Sequence, residues 1–466
     1  MSNILLVEPS YRSKFPPLGL MRIATYHKAK GDSVVFVRGK EAYQRSQHWD
    51  RIYVASLFTW ELPRTVKTIH YYSQSVHNSK DIVVGGIGAT LMPDYIAKSA
   101  DCTIITGLLD TQGKLEKGSP ALECEVPDYG ILGSVEYEYI PKDAFFLKAT
   151  KGCVHKCRFC AVPKLEPNYR GYKDLPYQFH QAVLSHGERQ NIVLLDNNAL
   201  AHPALNRIIN QIRDLGFGRG MWWNKRFRYV DFNQGIDARI IAANPKIANL
   251  LHGINLSPVR LAFDTMSMER HYRKAIELMA RAGFREFTNY MLYNFTDSPA
   301  DFYHRLHINL ELSHSHEIII TGFPMRYAPI NDVSRQYVSP KWKWRYLRGI
   351  RCILLATRGL IGTNPSFIDT AFGRTFEEFI EIVSMPDKYI IFRNEHKNNG
   401  ASEWRKLYRR LSDNEQIELM DLLDVLNRNP RDRVCFITKS PKFRKILSHY
   451  YPSPGLVARP VPPGTL

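Results

Sequence analysis

From residue 145 onward a short apolar run and a helical pattern alternate six times, and this constrains the fold more than any other feature of the chain. The runs are FFLKAT (145–150), NIVLLD (191–196), YVDFNQ (229–234), VRLAFD (259–264), FTNYMLYN (287–294) and EIIITGF (317–323). Between them lie YQFHQAVLSHGE, HPALNRIINQIRDLG, NPKIANLLHG, MERHYRKAIELMARAG and PADFYHRLHINLELSH. A strand that is apolar along its whole length is buried on both faces, the condition of a parallel sheet covered by helices. Six such units joined by right-handed crossovers curl into a partial (β/α)6 TIM-type barrel, whose chemistry sits at the C-terminal ends of its strands.

The same α/β alternation opens the chain. NILLVEP (3–9), SVVFVRG (33–39), RIYVASLF (51–58), DIVVGG (81–86) and CTIITG (102–107) alternate with patterns such as GLMRIATYHKAKG and MPDYIAKSA. This predicts a doubly wound, Rossmann-like domain over 1–110. Gly85, Gly86 and Gly88 follow its fourth strand without the dinucleotide spacing and read as turn glycines. Residues 111–144, broken by glycine and proline, form a connecting segment, and the barrel is expected over 145–330. Residues 331–466 read as a basic, mostly helical C-terminal domain, with Ser412 and Glu415 as the capping box of a helix that sets Ile417, Met420, Leu423 and Val425 near one side. The tail PSPGLVARPVPPG is expected to be poorly ordered.

Seven cysteines, an odd number without framework spacing, fit a reducing cytoplasm better than a secreted disulfide scaffold. No run of about 18 apolar residues occurs, so no membrane-crossing helix is expected. The start MSNILLVEPS reads as a first strand, not a leader.

Three of the cysteines, Cys153, Cys157 and Cys160, crowd into KGCVHKCRFC at 151–160, directly after the first barrel strand. Three thiols cannot all pair. Zinc wants a fourth ligand, and His155 is the one residue of the loop that offers it. Three thiolates from one loop suit three corners of a 4Fe-4S cube, with one iron left open. GCVHKCRFC resembles the signature of the radical S-adenosylmethionine (SAM) superfamily, Cys–x3–Cys–x–aromatic–Cys, with Phe159 at the aromatic position. That superfamily also carries its cysteine loop after the first strand of a six-unit partial barrel, so the resemblance covers about 145–325.

The resemblance implies that Cys153, Cys157 and Cys160 hold a 4Fe-4S cluster whose open iron chelates SAM. It further implies reductive cleavage to a 5′-deoxyadenosyl radical that takes hydrogen from a substrate, with the electron supplied by a reductant such as flavodoxin or ferredoxin. Asp196, Asn197 and Asn198, after the second strand, stand where the superfamily places groups for the SAM amino nitrogen, although its usual Gly-Gly-Glu is missing. After the third strand Gln234 or Asp237 would meet ribose and Arg239 the SAM carboxylate; Asp264 and Asn294 end the fourth and fifth strands. Each has a plain alternative. Asp196, Asp264 and Asn294 are good helix caps, and Arg239 pairs readily with Asp237. The N-terminal domain, through FPPLGLMRIATYHKAKGDSVVFV, VVGGIGATLMPDY and VPDYGIL, resembles the cobalamin-binding-type domain of one subgroup. Its Asp–x–His–x–x–Gly motif is absent, which weighs against cobalamin; a cobalamin-assisted methyltransferase is the alternative that needs it.

Substrate is less legible. A net charge of +18 points to an anionic partner such as nucleic acid. Residues 335–358 carry Arg335, Lys341, Lys343, Arg345, Arg348, Arg351 and Arg358 among Tyr337, Trp342, Trp344 and Tyr346. These would meet phosphates and bases, with Lys341, Arg345 and Arg348 on one helical face, or else they form a solvated face whose tryptophans pack inward. RGMWWNKRFRY (219–229) precedes the third strand and reads as structural. The competing class is a non-catalytic nucleic-acid-binding protein whose metal loop is structural.

Overall fold

The expected apolar runs all contribute strands, some buried throughout and others, such as Ser33–Arg38 and Ile319–Arg326, only in part. In the computed structural model, which describes residues 1–171, 173–428 and 440–451, β1 (Asn3–Glu8), β2 (Ser33–Arg38), β3 (Arg51–Ser56), β4 (Ile82–Gly86) and β5 (Thr103–Ile104) form one sheet. Its order is β2-β1-β3-β4-β5 and every pairing is parallel. Leu5 faces Val35 on one side and Ile52 on the other, and Leu5, Leu6 and Val7 are wholly buried. Gly86 takes φ +104°, and a Cβ there would meet Ser56 O at 2.4 Å, so this turn at the end of β4 needs glycine. The order reverses between β1 and β3, where open α/β sheets have their crevice. Tyr11 is buried at that point, its hydroxyl bonded to Ala55 O at 2.8 Å and to Thr65 Oγ1 at 2.5 Å.

The segment expected to connect the domains has its own packing. Leu115, Leu122, Tyr129, Ile131 and Tyr139 are buried, and Tyr139 donates to Glu8 Oε2 across 2.5 Å. Thr25 Oγ1 donates to Val126 O at 2.6 Å.

The six further strands follow in the expected order. β6 (Ala144–Leu147) and β7 (Asn191–Leu194) are buried at every residue. A hairpin, β8 (Trp222–Trp223) with β9 (Arg226–Phe227), intervenes and was not expected as strand. Asn224 and Lys225 turn it with φ 49° and 61°, the two left-handed residues of a tight hairpin, a conformation for which Asn-Lys is a weak sequence signal. β10 (Val230–Phe232) completes a parallel sheet of order β10-β7-β6. β11 (Val259–Ala262), β12 (Glu286–Tyr293) and β13 (Ile319–Arg326) make a second sheet in chain order, β12 and β13 pairing in parallel over eight residues. The chain divides into two compact units: Met1–Ile240 with Asn244–Val259 and Ala328–Tyr337, and Ile241–Ala243 with Arg260–Tyr327 and Val338–Leu466.

The helices are amphipathic where the pattern predicts. Leu205–Ile212 buries Leu205, Ile208, Ile209 and Ile212, one stripe at helical spacing. Among the described residues the C-terminal part is mostly helical, from Trp344–Ala356 to Asp413–Arg428 and again at Pro441–Leu447, around Phe372, Phe379, Trp404 and Leu423. The Ser412–Glu415 capping box forms, with Ser412 N donating to Glu415 Oε2 at 2.8 Å and Glu415 N to Ser412 Oγ at 3.4 Å. Its helix buries Leu419, Met420, Leu423 and Leu426, while Ile417 and Val425 are 49% and 46% exposed. The expected stripe is therefore corrected: at about 100° per residue, 417 and 425 fall on the other side of the arc defined by the four buried residues. Cys102 and Cys352 are buried thiols, and burial pushes Cys352 up to about 12. Cys435 and the proline-rich tail lie outside the described residues.

Candidate iron–sulfur site

The loop after β6 is closed on itself. Lys151 and Arg170 exchange backbone hydrogen bonds of 3.1 and 3.0 Å, so the three cysteines lie in a loop whose ends are pinned together. Gly152 enters it with φ +74°, where a Cβ would meet Asn168 O at 2.6 Å. Cys153, Cys157 and Cys160 are half-buried thiols that form no disulfide. His155 N donates to Cys153 Sγ at 3.4 Å, Val162 N to Cys160 Sγ at 3.4 Å, and Asn198 Nδ2 to Cys153 Sγ at 3.6 Å. The Arg239 guanidinium interacts with Cys157.

This donor set fits a cluster. Thiolates are acceptors, and N–H groups aimed at sulfur stabilise the deprotonated form that iron requires. Among the described residues no three His, Cys, Asp or Glu side chains gather around one point as a single metal ion demands. Three corners of a cube bind three separate irons and have no need to converge. The His155 side chain is engaged by Asp237. Its Nε2 lies 2.7 Å from Asp237 Oδ2, at ion-pair distance but off the line of a hydrogen bond.

The residues expected around SAM fall into two groups. Asp196 is buried and accepts from Ala149 N at 3.0 Å, Thr150 N at 2.5 Å and Thr150 Oγ1 at 2.7 Å. It caps no helix; it fixes the backbone that leads from β6 into the cysteine loop, and burial raises its carboxyl against those three donors. Asn197 Nδ2 donates to Glu166 Oε2 at 2.9 Å. Asn198 Nδ2 also reaches Asp237 Oδ2 at 3.1 Å, and Asn198 Oδ1 is buried without a hydrogen bond. Asp237 grips Arg239 through Nε at 2.9 Å and Nη2 at 3.0 Å, the local ion pair that was the plain alternative. Burial alone would raise the Asp237 carboxyl, but Arg239 and His155 hold it below the usual carboxylate range. Gln234 is exposed and Phe159 half-buried.

Asp264 and Asn294 belong to the second unit. There Arg305, fully buried, donates through Nη1 to Phe263 O at 2.8 Å, Asp264 O at 3.0 Å and Leu292 O at 2.7 Å, and pairs with Asp297 at 2.7 Å. Asn294 is wholly buried with φ 70°; it donates to Tyr327 O at 3.0 Å and accepts from Ser339 N at 2.9 Å. Its side chain ties the end of β12 to two points in the chain after β13.

Sequence reasoning missed Glu166. It pairs with Lys148, accepts from Gly152 N at 2.5 Å and from Asn197, and so ties strand, loop and second strand end together. A signal existed: Glu166 is the only acid between Lys151 and Lys173, a stretch otherwise full of cations. The basic segment turns partly inward. Trp342 and Arg345 are buried, and Arg345 and Arg348 both pair with Asp387. The helix begins at Trp344, so Lys341 lies outside the face it was expected to share. The segments after β1, β3 and β4 read PSYRSKFPP, LFTWE and IGATLM, the last of them the helix Ile87–Leu91, and none carries a histidine.

No family model matches the chain, and no curated protein matches it. Among solved structures it is similar to an apo, selenomethionine-labelled cobalamin-dependent S-adenosylmethionine radical enzyme, OxsB, at TM-score 0.44 and 11% identity over 96% of this chain and 74% of that one. Coproporphyrinogen III oxidase (HemN) from Escherichia coli, a radical SAM enzyme, aligns at TM-score 0.31 and 13% identity over 46% of this chain and 53% of its own. Neither likeness is close enough to carry a residue's role across.

Proposed function

We propose that this chain is a radical SAM enzyme in which Cys153, Cys157 and Cys160 hold a 4Fe-4S cluster. The observation that carries the reading is a closed loop at the C-terminal end of a parallel strand, bearing three half-buried thiols, with N–H groups donated to Cys153 and Cys160. When bound, the cluster supplies the electron that cleaves SAM. The chain's own contribution is positional. Asp196 and Glu166 fix the loop's entry, Asn198 reaches Cys153 and Arg239 reaches Cys157, and Asp237 bonds to both of those side chains. Asn197 and the buried acceptor Asn198 Oδ1 are the groups we assign to the SAM ammonium. Gln234 is assigned to the ribose hydroxyls. Arg239, held by Asp237, is less available to a carboxylate than its type implies.

A low-potential flavodoxin or ferredoxin in a reducing cytoplasm is the electron donor this reading calls for. Nucleic acid is the substrate class we favour, on the charge of +18. Anaerobically reconstituted protein should bind about four irons per chain. With reductant it should release 5′-deoxyadenosine from SAM, and Cys157→Ala should abolish both. Bound zinc, or no cleavage by the intact protein, refutes the enzyme. Cleavage rates with RNA, DNA and peptide decide the substrate, and equal indifference to all three removes nucleic acid.

A further inference from the structure

We propose that Asn198 and Asp237 act as an opposed pair that sets the reduction potential of the cluster at Cys153; this rests on the reading that the three thiols hold one. The Asn198 side chain is buried, and its Nδ2 spans 3.6 Å to Cys153 Sγ and 3.1 Å to Asp237 Oδ2. Its orientation is fixed, because a flipped amide would set Oδ1 against a thiolate and a carboxylate at once. Asp237 is held in turn by Arg239 Nε, Nη2 and backbone N at 2.9, 3.0 and 3.0 Å, with its side chain 6% exposed. One amide therefore stands between a ligand sulfur and a carboxylate that Arg239 pairs with and His155 Nε2 approaches to 2.7 Å.

The two neighbours pull in opposite directions. One-electron reduction, with the electron from an external low-potential donor, adds one negative charge to the sulfur-bearing site and makes or breaks no bond. An N–H donor to sulfur stabilises the reduced form more than the oxidised one and raises the potential. A nearby carboxylate repels the added charge and lowers it. A side chain that merely held the loop in shape would not produce effects of opposite sign.

Wild type, Asn198→Leu and Asp237→Asn are reconstituted anaerobically, assayed for iron, and titrated with reductant while the cluster's electron paramagnetic resonance signal is followed. Asn198→Leu should shift the midpoint to more negative values by about a tenfold change in the reduction equilibrium, roughly 59 mV for one electron. Asp237→Asn, which keeps shape and removes charge, should shift it the other way. Full iron with both midpoints at the wild-type value overturns the proposal while leaving the cluster intact. Shifts of the same sign, or loss of iron from both variants, assign the pair a structural role and overturn it too. A wild type that takes up no iron refutes the cluster itself, an outcome the iron assay separates from the others.

Discussion

Asp387→Ala tests whether the basic segment after β13 is built for a partner or for the protein's own core. Asp387 Oδ1 accepts from Arg345 Nη1 at 2.7 Å and Oδ2 from Arg348 Nε at 2.7 Å, and the Arg345 side chain is 4% exposed. Arg345 Nη2 is already buried without a hydrogen bond, so removing the carboxylate leaves a buried cation with little support. Breaking a buried pair by deleting one partner costs about 3–5 kcal/mol. For a unit of roughly 200 residues, that lowers the melting temperature by about 10 °C. The pH dependence gives a second reading. Burial alone would raise the Asp387 carboxyl, but the two arginines bring it down from 3.8 to about 2. A depressed folded value means the contribution is present above the unfolded value and is lost as pH falls through the folded one. Wild type should lose about 2 kcal/mol between pH 4 and pH 2 from this group, and Asp387→Asn should not. Thermal melts of wild type and both variants across that range are the assay. If Asp387→Ala melts within a degree or two of wild type, Arg345 and Arg348 do not depend on it, and the segment regains its standing as an external basic face.

Two shorter predictions concern the other unit. Gly152→Ala should lower the iron bound per chain after reconstitution, because its φ of +74° and the 2.6 Å approach to Asn168 O leave no room for a Cβ; iron content equal to wild type would show the loop entry to be pliable. Burial raises the Glu8 carboxyl from 4.5 to about 7, in spite of Tyr139 and Arg38. A raised folded value stabilises below pH 4.5 and loses that contribution as pH rises through 7, by about 3 kcal/mol. Glu8→Gln should therefore compare progressively better with wild type in melts run from pH 5 to pH 8.5, and a constant difference would refute the assignment.

The order of elements is carried by the sequence itself. Continuous apolar strands such as FFLKAT and NIVLLD have to be buried on both faces, and the helical stripes between them have to cover those faces, so a parallel α/β chain follows from local pattern alone. The position of three thiols after β6 follows too, because spacing along the chain is a sequence property. What each neighbour of that loop does was decided only in three dimensions. Asp196 and Asn294 looked like caps or ligands, and each instead satisfies backbone groups far along the chain, Thr150 in one case and Tyr327 and Ser339 in the other. Arg345 looked like a surface cation until Asp387, 42 residues away, met it. Glu166 stood out as a lone acid, but its bonds to Gly152 and Asn197 exist only because the loop closes on itself. Hydrophobic periodicity is local and can be read along the chain. A charged or polar side chain takes its role from whichever distant group leaves a hydrogen bond unsatisfied, and only the tertiary fold brings the two together.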